Sequence, residues 1–309
     1  MSDEQPQPNT IYNLAGSPAF ANDGVCFAAG MQGLKRSQDG GYTWTDVLAV
    51  RIAVPALAIS PTFVADRELF AGSMGGILCS GDGGETWRVE HLPSPPPYVV
   101  ALAVSPDYAH DGTVFAGTME DGVFCSRNRG YNWYTWNFGL LDLNVLALAV
   151  SPDFGADETV FAAVESGVFR STNGGRAWRE SSFPIDDAPV ISLAISPGFG
   201  TDHTLFAGTE AHGLFKSVDR GKTWQRLAAQ AIGDSVDAIL FGSNFATALD
   251  LLVLGDGRLS VSGDGGASWQ PWPVPAGIEG EITAVLAPTG LAAGSALLVG
   301  LADGRVRRV

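Results

Sequence analysis

The sequence predicts an all-β fold, a seven-bladed β-propeller. Three observations carry this. An eight-residue segment recurs six times at steps of 43–46 residues. Short apolar runs bounded by Gly, Pro and Asp fill each step, and seven copies of an inner-strand pattern can be counted along the chain. A period of this length filled with short strands is one propeller blade. The 309 residues, 46% of them hydrophobic, are enough for a large core, and closed all-β folds of this size are routinely one domain.

The recurring segment reads Ser37-Gln-Asp-Gly-Gly-Tyr-Thr-Trp44, then Ser80-Gly-Asp-Gly-Gly-Glu-Thr-Trp87. It returns as Ser126-Arg-Asn-Arg-Gly-Tyr-Asn-Trp133 and Ser171-Thr-Asn-Gly-Gly-Arg-Ala-Trp178. The last copies are Ser217-Val-Asp-Arg-Gly-Lys-Thr-Trp224 and Ser262-Gly-Asp-Gly-Gly-Ala-Ser-Trp269.

Each unit parses into four strands. The first is short and apolar: Ala56–Ile59, Ala101–Val104, Ala147–Val150 and Ser192–Ile195, preceded by Tyr12–Ala15 and followed by Ala238–Phe241 and Thr283–Leu286. The second follows the pattern Leu69-Phe-Ala-Gly72. The third ends at the box serine, and the fourth is expected to start at the box tryptophan. Buried strands read as such apolar runs. The seventh unit stops after its third strand. One propeller over 1–309 is expected, with blades near 10–50, 52–95, 98–140, 143–184, 188–230, 235–273 and 280–309. Residues 2–5 are expected to supply an outer strand to the last blade, as an edge where Pro is tolerable.

The pattern Ser-x-Asp-x-Gly-x-Thr-Trp resembles the Asp-box, or BNR, repeat of sialidases, the sortilin ectodomain and photosystem II assembly factors. The resemblance covers about residues 10–309 and implies the blade fold. It does not fix function, because these families share the blade and not the chemistry.

The box positions, Asp39, Asp82, Asn128, Asn173, Asp219 and Asp264 with Trp44, Trp87, Trp133, Trp178, Trp224 and Trp269, read as structural. Ser and Asp oxygens accept backbone N–H groups in a turn, Gly supplies positive φ, and Trp buries an aromatic surface. Asn128 and Asn173 keep the acceptor without the charge, and Ala177 lacks the hydroxyl, which argues against catalysis or metal binding by the box. A second motif, Ser60-Pro-Thr-Phe-Val-Ala-Asp66 and its copies, joins the first and second strands. His110 and His203 beside its Asp read as solvated turn residues. Cys79 and Cys125 read as tolerated substitutions where other units carry Lys35, Arg170 and Lys216.

One position in the second-to-third-strand loops varies by side of the ring. It carries Met31, Met74 and Met119 in blades one to three, then Glu165 and Glu210, with Asp256 in the corresponding loop of blade six. The blade crossings add Asp142, Asp186 and Asp187. Met is an adaptable contact residue. Together these residues form a candidate face for a protein or peptide with a basic rim; the bland reading is a set of channel plugs.

A sialidase-like site requires an arginine triad and a Tyr with a Glu partner. The candidate loops offer only Arg51 and Tyr98, and the Arg-Ile-Pro signature has no match before the first box. No catalytic residue is assigned. The alternative is a carbohydrate-active enzyme using paired carboxylates among Asp142, Glu165, Asp186, Asp187 and Glu210, which glycoside hydrolysis would require. No cofactor or metal is called for.

A net charge of −15 argues against nucleic acid and anionic membranes as partners. Three cysteines, Cys26, Cys79 and Cys125, give no disulfide framework. The N-terminus lacks a signal-peptide pattern, so a cytoplasmic location is expected, with an exported mature form as the alternative; a monomer is expected as well.

Overall fold

Each repeat folds into one antiparallel sheet. The computed structural model describes residues 9–48, 52–90, 92, 96–186, 188–227, 232–242, 245–273, 278–292 and 294–309. They form six four-stranded sheets and one three-stranded sheet, each with its strands in sequence order. Blade one comprises Ile11–Gly16, Cys26–Gly30, Gly33–Ser37 and Thr45–Leu48; blade four comprises Val145–Val150, Val160–Val164, Gly167–Ser171 and Arg179–Glu180. Blade seven comprises Ile282–Leu286, Leu298–Leu301 and Val306–Arg308. The expected outer strand from residues 2–5 lies outside the described residues.

Two strand boundaries differ from expectation. The inner strands of blades three to five begin earlier, at Tyr98, Val145 and Val190. A register shift separates these added residues from the Ala-Leu-Ala-type core of each strand, so the small-residue pattern marked only the part beyond the bulge. The fourth strands begin one residue after the box Trp. In blade one the Trp still belongs to the turn, since Trp44 Nε1 donates to the Gly41 carbonyl at 3.1 Å.

Hydrophobic packing lies between blades. Phe27 and Leu34 of blade one share a cluster with Leu57, Phe63 and Leu69 of blade two, and equivalent clusters fill the other junctions. The ring closes because Ile11, Leu14 and Phe20 of blade one pack with Ala284, Leu298 and Val306 of blade seven. Thr283 Oγ1 adds a 2.7 Å bond to the Ile11 carbonyl.

The first-to-second-strand motif forms one-turn helices, such as Phe63–Asp66 and Phe154–Asp157. Its Asp accepts the motif serine, as in Ser60 Oγ to Asp66 at 2.7 Å, and a backbone N–H two residues on, Glu68 N at 3.0 Å. Its aromatic side chain crosses the junction edge-to-face: Phe63 meets Phe27 at 5.8 Å and Phe154 meets Phe115 at 5.7 Å. A residue with left-handed φ ends each of the first five turns, and His203 occupies one such place. His110 is exposed, with its charged form favoured by a hydrogen bond to Asp107.

These helical turns and the boxes share one end of the ring. Gly40, Gly83, Arg129, Gly174, Arg220 and Gly265 each donate their N–H to the residue closing the helical turn of the same blade. The second-to-third-strand loops and the crossings occupy the opposite end.

Candidate interaction face

The box end satisfies its polar groups internally. In all six boxes the serine Oγ accepts the N–H four residues on, from Gly41, Gly84, Gly130, Gly175, Gly221 and Gly266. The Asp or Asn Oδ1 accepts both that serine hydroxyl and a second N–H four residues further, as in Ala177 N to Asn173 at 2.9 Å. Where the residue is Asp, its other oxygen takes a hydroxyl: Thr43, Thr86, Thr223 or Ser268. The two Asn copies carry Asn132 and Ala177 there instead. The carboxylate and the hydroxyl therefore change together.

Those bonds hold the carboxylates down to about 2, from an ordinary 3.8. At Asp39 and Asp264 the hydroxyl of Thr43 or Ser268 contributes most. At Asp82 and Asp219 burial pushes upward, and hydrogen bonds led by Thr86 and Thr223 more than offset it. Trp178 and Trp224 are buried, and the other four box tryptophans are half-buried. Trp224 Nε1 is buried without a partner, and Ser181 of blade four donates to the Gly221 carbonyl that the indole would otherwise reach.

Strand register corrects one alignment. Arg36, not Lys35, is the counterpart of Cys79, because Arg36 lies opposite Phe27 as Cys79 lies opposite Phe70, whereas Lys35 lies opposite Ala28. The cations at this position clasp the next blade. Arg36 donates to the Gly83 carbonyl, Arg170 to Arg220, Lys216 to Gly265 and Arg308 to Gly40, at 2.7–3.0 Å. At Cys79 the short side chain leaves a cavity of about 210 Å³ lined by Glu68, Arg88, Arg129 and Tyr131. Arg129 bridges that junction through Glu68 at 2.9 Å. Burial pushes the Cys26, Cys79 and Cys125 thiols up to about 12, so all three stay protonated and unreactive at neutral pH.

The loop end is built differently. Met74 is 71% exposed, while Met31 and Met119 are half-buried. Glu165, Glu210, Asp186 and Asp256 are exposed and Asp142 is half-buried; Asp187 and Arg51 lie outside the described residues. Two of these acids brace loops. Asp142 accepts Asn144 N at 3.0 Å and Ser166 N at 2.8 Å. Asp256 accepts Asp234 N at 3.2 Å and Ser235 N at 3.3 Å. Asp237 immediately precedes the inner strand Ala238–Phe241. Although the residue reaches solvent, desolvation of its carboxyl raises its pKa, and Asp256 and Glu281 add to this. Among the described residues, no group of three His, Cys, Asp or Glu side chains could hold a metal ion.

Sequence reasoning missed the crossing from blade three to blade four. Phe138 is 81% exposed and Leu141 80% exposed, with Leu143 beside them along the chain. The visible signal was an apolar run, Phe138-Gly-Leu-Leu-Asp-Leu143, placed where a polar loop would be ordinary.

Solved structures share this fold. A GH74 xyloglucanase from Xanthomonas campestris aligns with a TM-score of 0.76 at 17% identity, over 97% of this chain and 52% of that one. The extracellular domain of a putative one-component system from B. thetaiotaomicron aligns at 0.71 and 16% identity, over 98% and 38%. YCF48 bound to D1 peptide aligns at 0.70 and 17% identity, over 98% and 94%. The chain thus resembles Asp-box propellers in fold, and it spans about half or less of the first two proteins. No family model matches it, and no curated protein does. Among the described residues no helix is long and apolar enough to cross a membrane.

Proposed function

We propose that the chain is a non-catalytic binding module that engages a protein or peptide through its loop end. The observation that carries this reading is the split ring position: methionine in blades one to three, with Met74 largely exposed, and exposed Glu165, Glu210 and Asp256 in blades four to six. A propeller core requires no such split. Apolar contacts beside acids suit a partner with apolar side chains and a basic rim. The likeness to YCF48 solved with a peptide, nearly end to end, is compatible with this use of the fold. We expect a monomer.

The test is to purify whatever co-purifies from the native source and measure its affinity. M31S/M74S/M119S should weaken binding without unfolding the ring. E165K/E210K should weaken it most at low salt, where screening is least. Wild-type affinity in both variants would sink the proposal.

A second reading, carbohydrate hydrolysis, has one observation in its favour. Desolvation shifts the Asp237 carboxyl upward, with Asp256 and Glu281 adding to the shift, and such shifts mark candidate acid–base groups. Release of reducing sugar from xyloglucan or another β-glucan, abolished by D237N, would establish it. No release from a glycan panel would remove it.

A further inference from the structure

The crossing from blade three to blade four is irregular in backbone yet tightly fixed. Asn137 grips the adjoining loop with both ends of its amide: Oδ1 accepts Val123 N at 2.8 Å and Nδ2 donates to the Asp121 carbonyl at 2.8 Å. The Phe138 carbonyl accepts Trp178 N at 2.8 Å, from the next blade. Gly139 follows with φ +80°, and a side chain there would strike the Trp178 backbone. Leu140 turns inward and is buried. The Leu143 carbonyl then accepts Gly122 N at 2.9 Å, and Asn144 Oδ1 accepts Glu120 N at 2.9 Å.

The result is a segment held from both sides with Phe138 and Leu141 pointing into solvent. The next crossing makes the contrast. Phe183, five residues after Trp178 as Phe138 is after Trp133, packs at 4.7 Å from Phe215 and 5.7 Å from Trp224. The scaffold can therefore pack an aromatic, half-buried, against the junction at this place, and in blade three it does not. Exposed apolar side chains on a rigid backbone bind without paying much ordering entropy, and such fixed anchors dominate interface energy.

The surroundings set the partner's charge. The loops hydrogen-bonded to this crossing present Glu120 and Asp121 on one side and, beyond Ser166, Glu165 on the other, all exposed. The opposing cations are Arg179, next to Trp178, and Arg127 and Arg176, which stack on Trp136 at 5.1 and 5.8 Å and share the Glu158 carboxylate.

We infer that Phe138, Leu141 and Leu143 form the anchor of a docking site for a peptide segment carrying aromatic or aliphatic side chains flanked by Lys or Arg. This rests on the loop end being a binding face and names the part of it that makes the main contact.

The experiment selects binders to the full chain from a phage-displayed library of random dodecamers, then measures one synthetic selected peptide by fluorescence anisotropy. Selected sequences should combine apolar residues with Lys or Arg. F138S/L141S should weaken binding by about tenfold or more with an unchanged melting temperature. E120K/E165K should weaken it at 50 mM NaCl and less at 500 mM. Enrichment of acidic or wholly polar peptides would overturn the inference. Binding lost in M31S/M74S/M119S but intact in F138S/L141S would overturn it while leaving the loop-end module standing. No selected peptide at the loop end would remove both. A wild-type dimer in sedimentation velocity that F138S/L141S dissociates would make the patch a self-interface and overturn the peptide assignment.

Discussion

At the box end, six turns with four different acid and hydroxyl combinations keep one hydrogen-bond scheme; at the loop end, one position carries Met, Glu or Asp and its backbone varies too, ending a strand at Met119 and taking a positive φ at Asp256. The box tolerates Asn173 with Ala177 because Oδ1 and the Ser171 hydroxyl hold the turn without a second carboxylate oxygen. The methionines at the loop position are under no such constraint, since they form no part of the junction clusters, whereas Asp256 there accepts Asp234 N and Ser235 N. Repetition marks what the fold requires. Departure from it marks surface that is free to do something else.

The comparison is broken most forcefully by removing a box tryptophan. Trp178 is 3% exposed, and its Nε1 reaches the Trp136 carbonyl of the preceding blade at 2.7 Å. W178A should cost about 3–5 kcal/mol in denaturant unfolding. A loss near zero would mean that the box aromatics do not hold the blades together.

The coupled carboxylate and hydroxyl offer a finer probe. Asp82 accepts the Thr86 backbone N–H and its hydroxyl. D82N and T86A should show a coupling energy of about 0.5–1.5 kcal/mol in a double-mutant cycle. The double variant reproduces the blade-four arrangement and should fold normally. Strict additivity would mean that the pairing of Asp with a hydroxyl across the repeats has no energetic basis.

Acid should then distinguish the blades. The four box carboxylates sit at about 2 in the folded chain, below their ordinary 3.8. A depressed folded pKa contributes stability that is complete above the unfolded value and lost as pH falls through the folded one. The loss should run between about pH 4 and pH 2, in blades one, two, five and six. Blades three and four, with Asn128 and Asn173, should lack it. Hydrogen exchange along an acid titration would check this, and equal weakening of all six box turns would contradict it.

The smallest stability effects are expected at the loop end. M31S/M74S/M119S and F138S/L141S should each stay within about 0.5 kcal/mol of wild type per residue, as exposed substitutions do. A collapse of the melting temperature in the methionine variant would make those residues plugs.

Much of the fold was legible in the sequence. Box spacing set the blade length, the inner-strand copies set the blade number, and the Ser-Pro-x-Phe motif located the turns whose aromatics cross the junctions. The bulges before Ala101, Ala147 and Ser192 were hidden, because extended residues on both sides of a bulge read alike. The clasp by Arg36, Arg170, Lys216 and Arg308 was hidden too, since its acceptors are backbone carbonyls about 50 residues away along the chain or across the ring closure. Met74 and Glu165 could be found as breaks in the repeat. Phe138 and Leu141 could not, because an apolar run gives no sign of which members turn outward until Asn137, Gly139 and Trp178 fix the path.

The most direct test is hydrogen–deuterium exchange on the full chain with and without the partner that co-purifies with it. Protection should concentrate at residues 119–122, 137–144 and 164–167 and at the Trp178 amide, which bonds the Phe138 carbonyl, leaving the other five box turns unchanged. Protection confined to the box turns, with none at the loop end, would contradict the account.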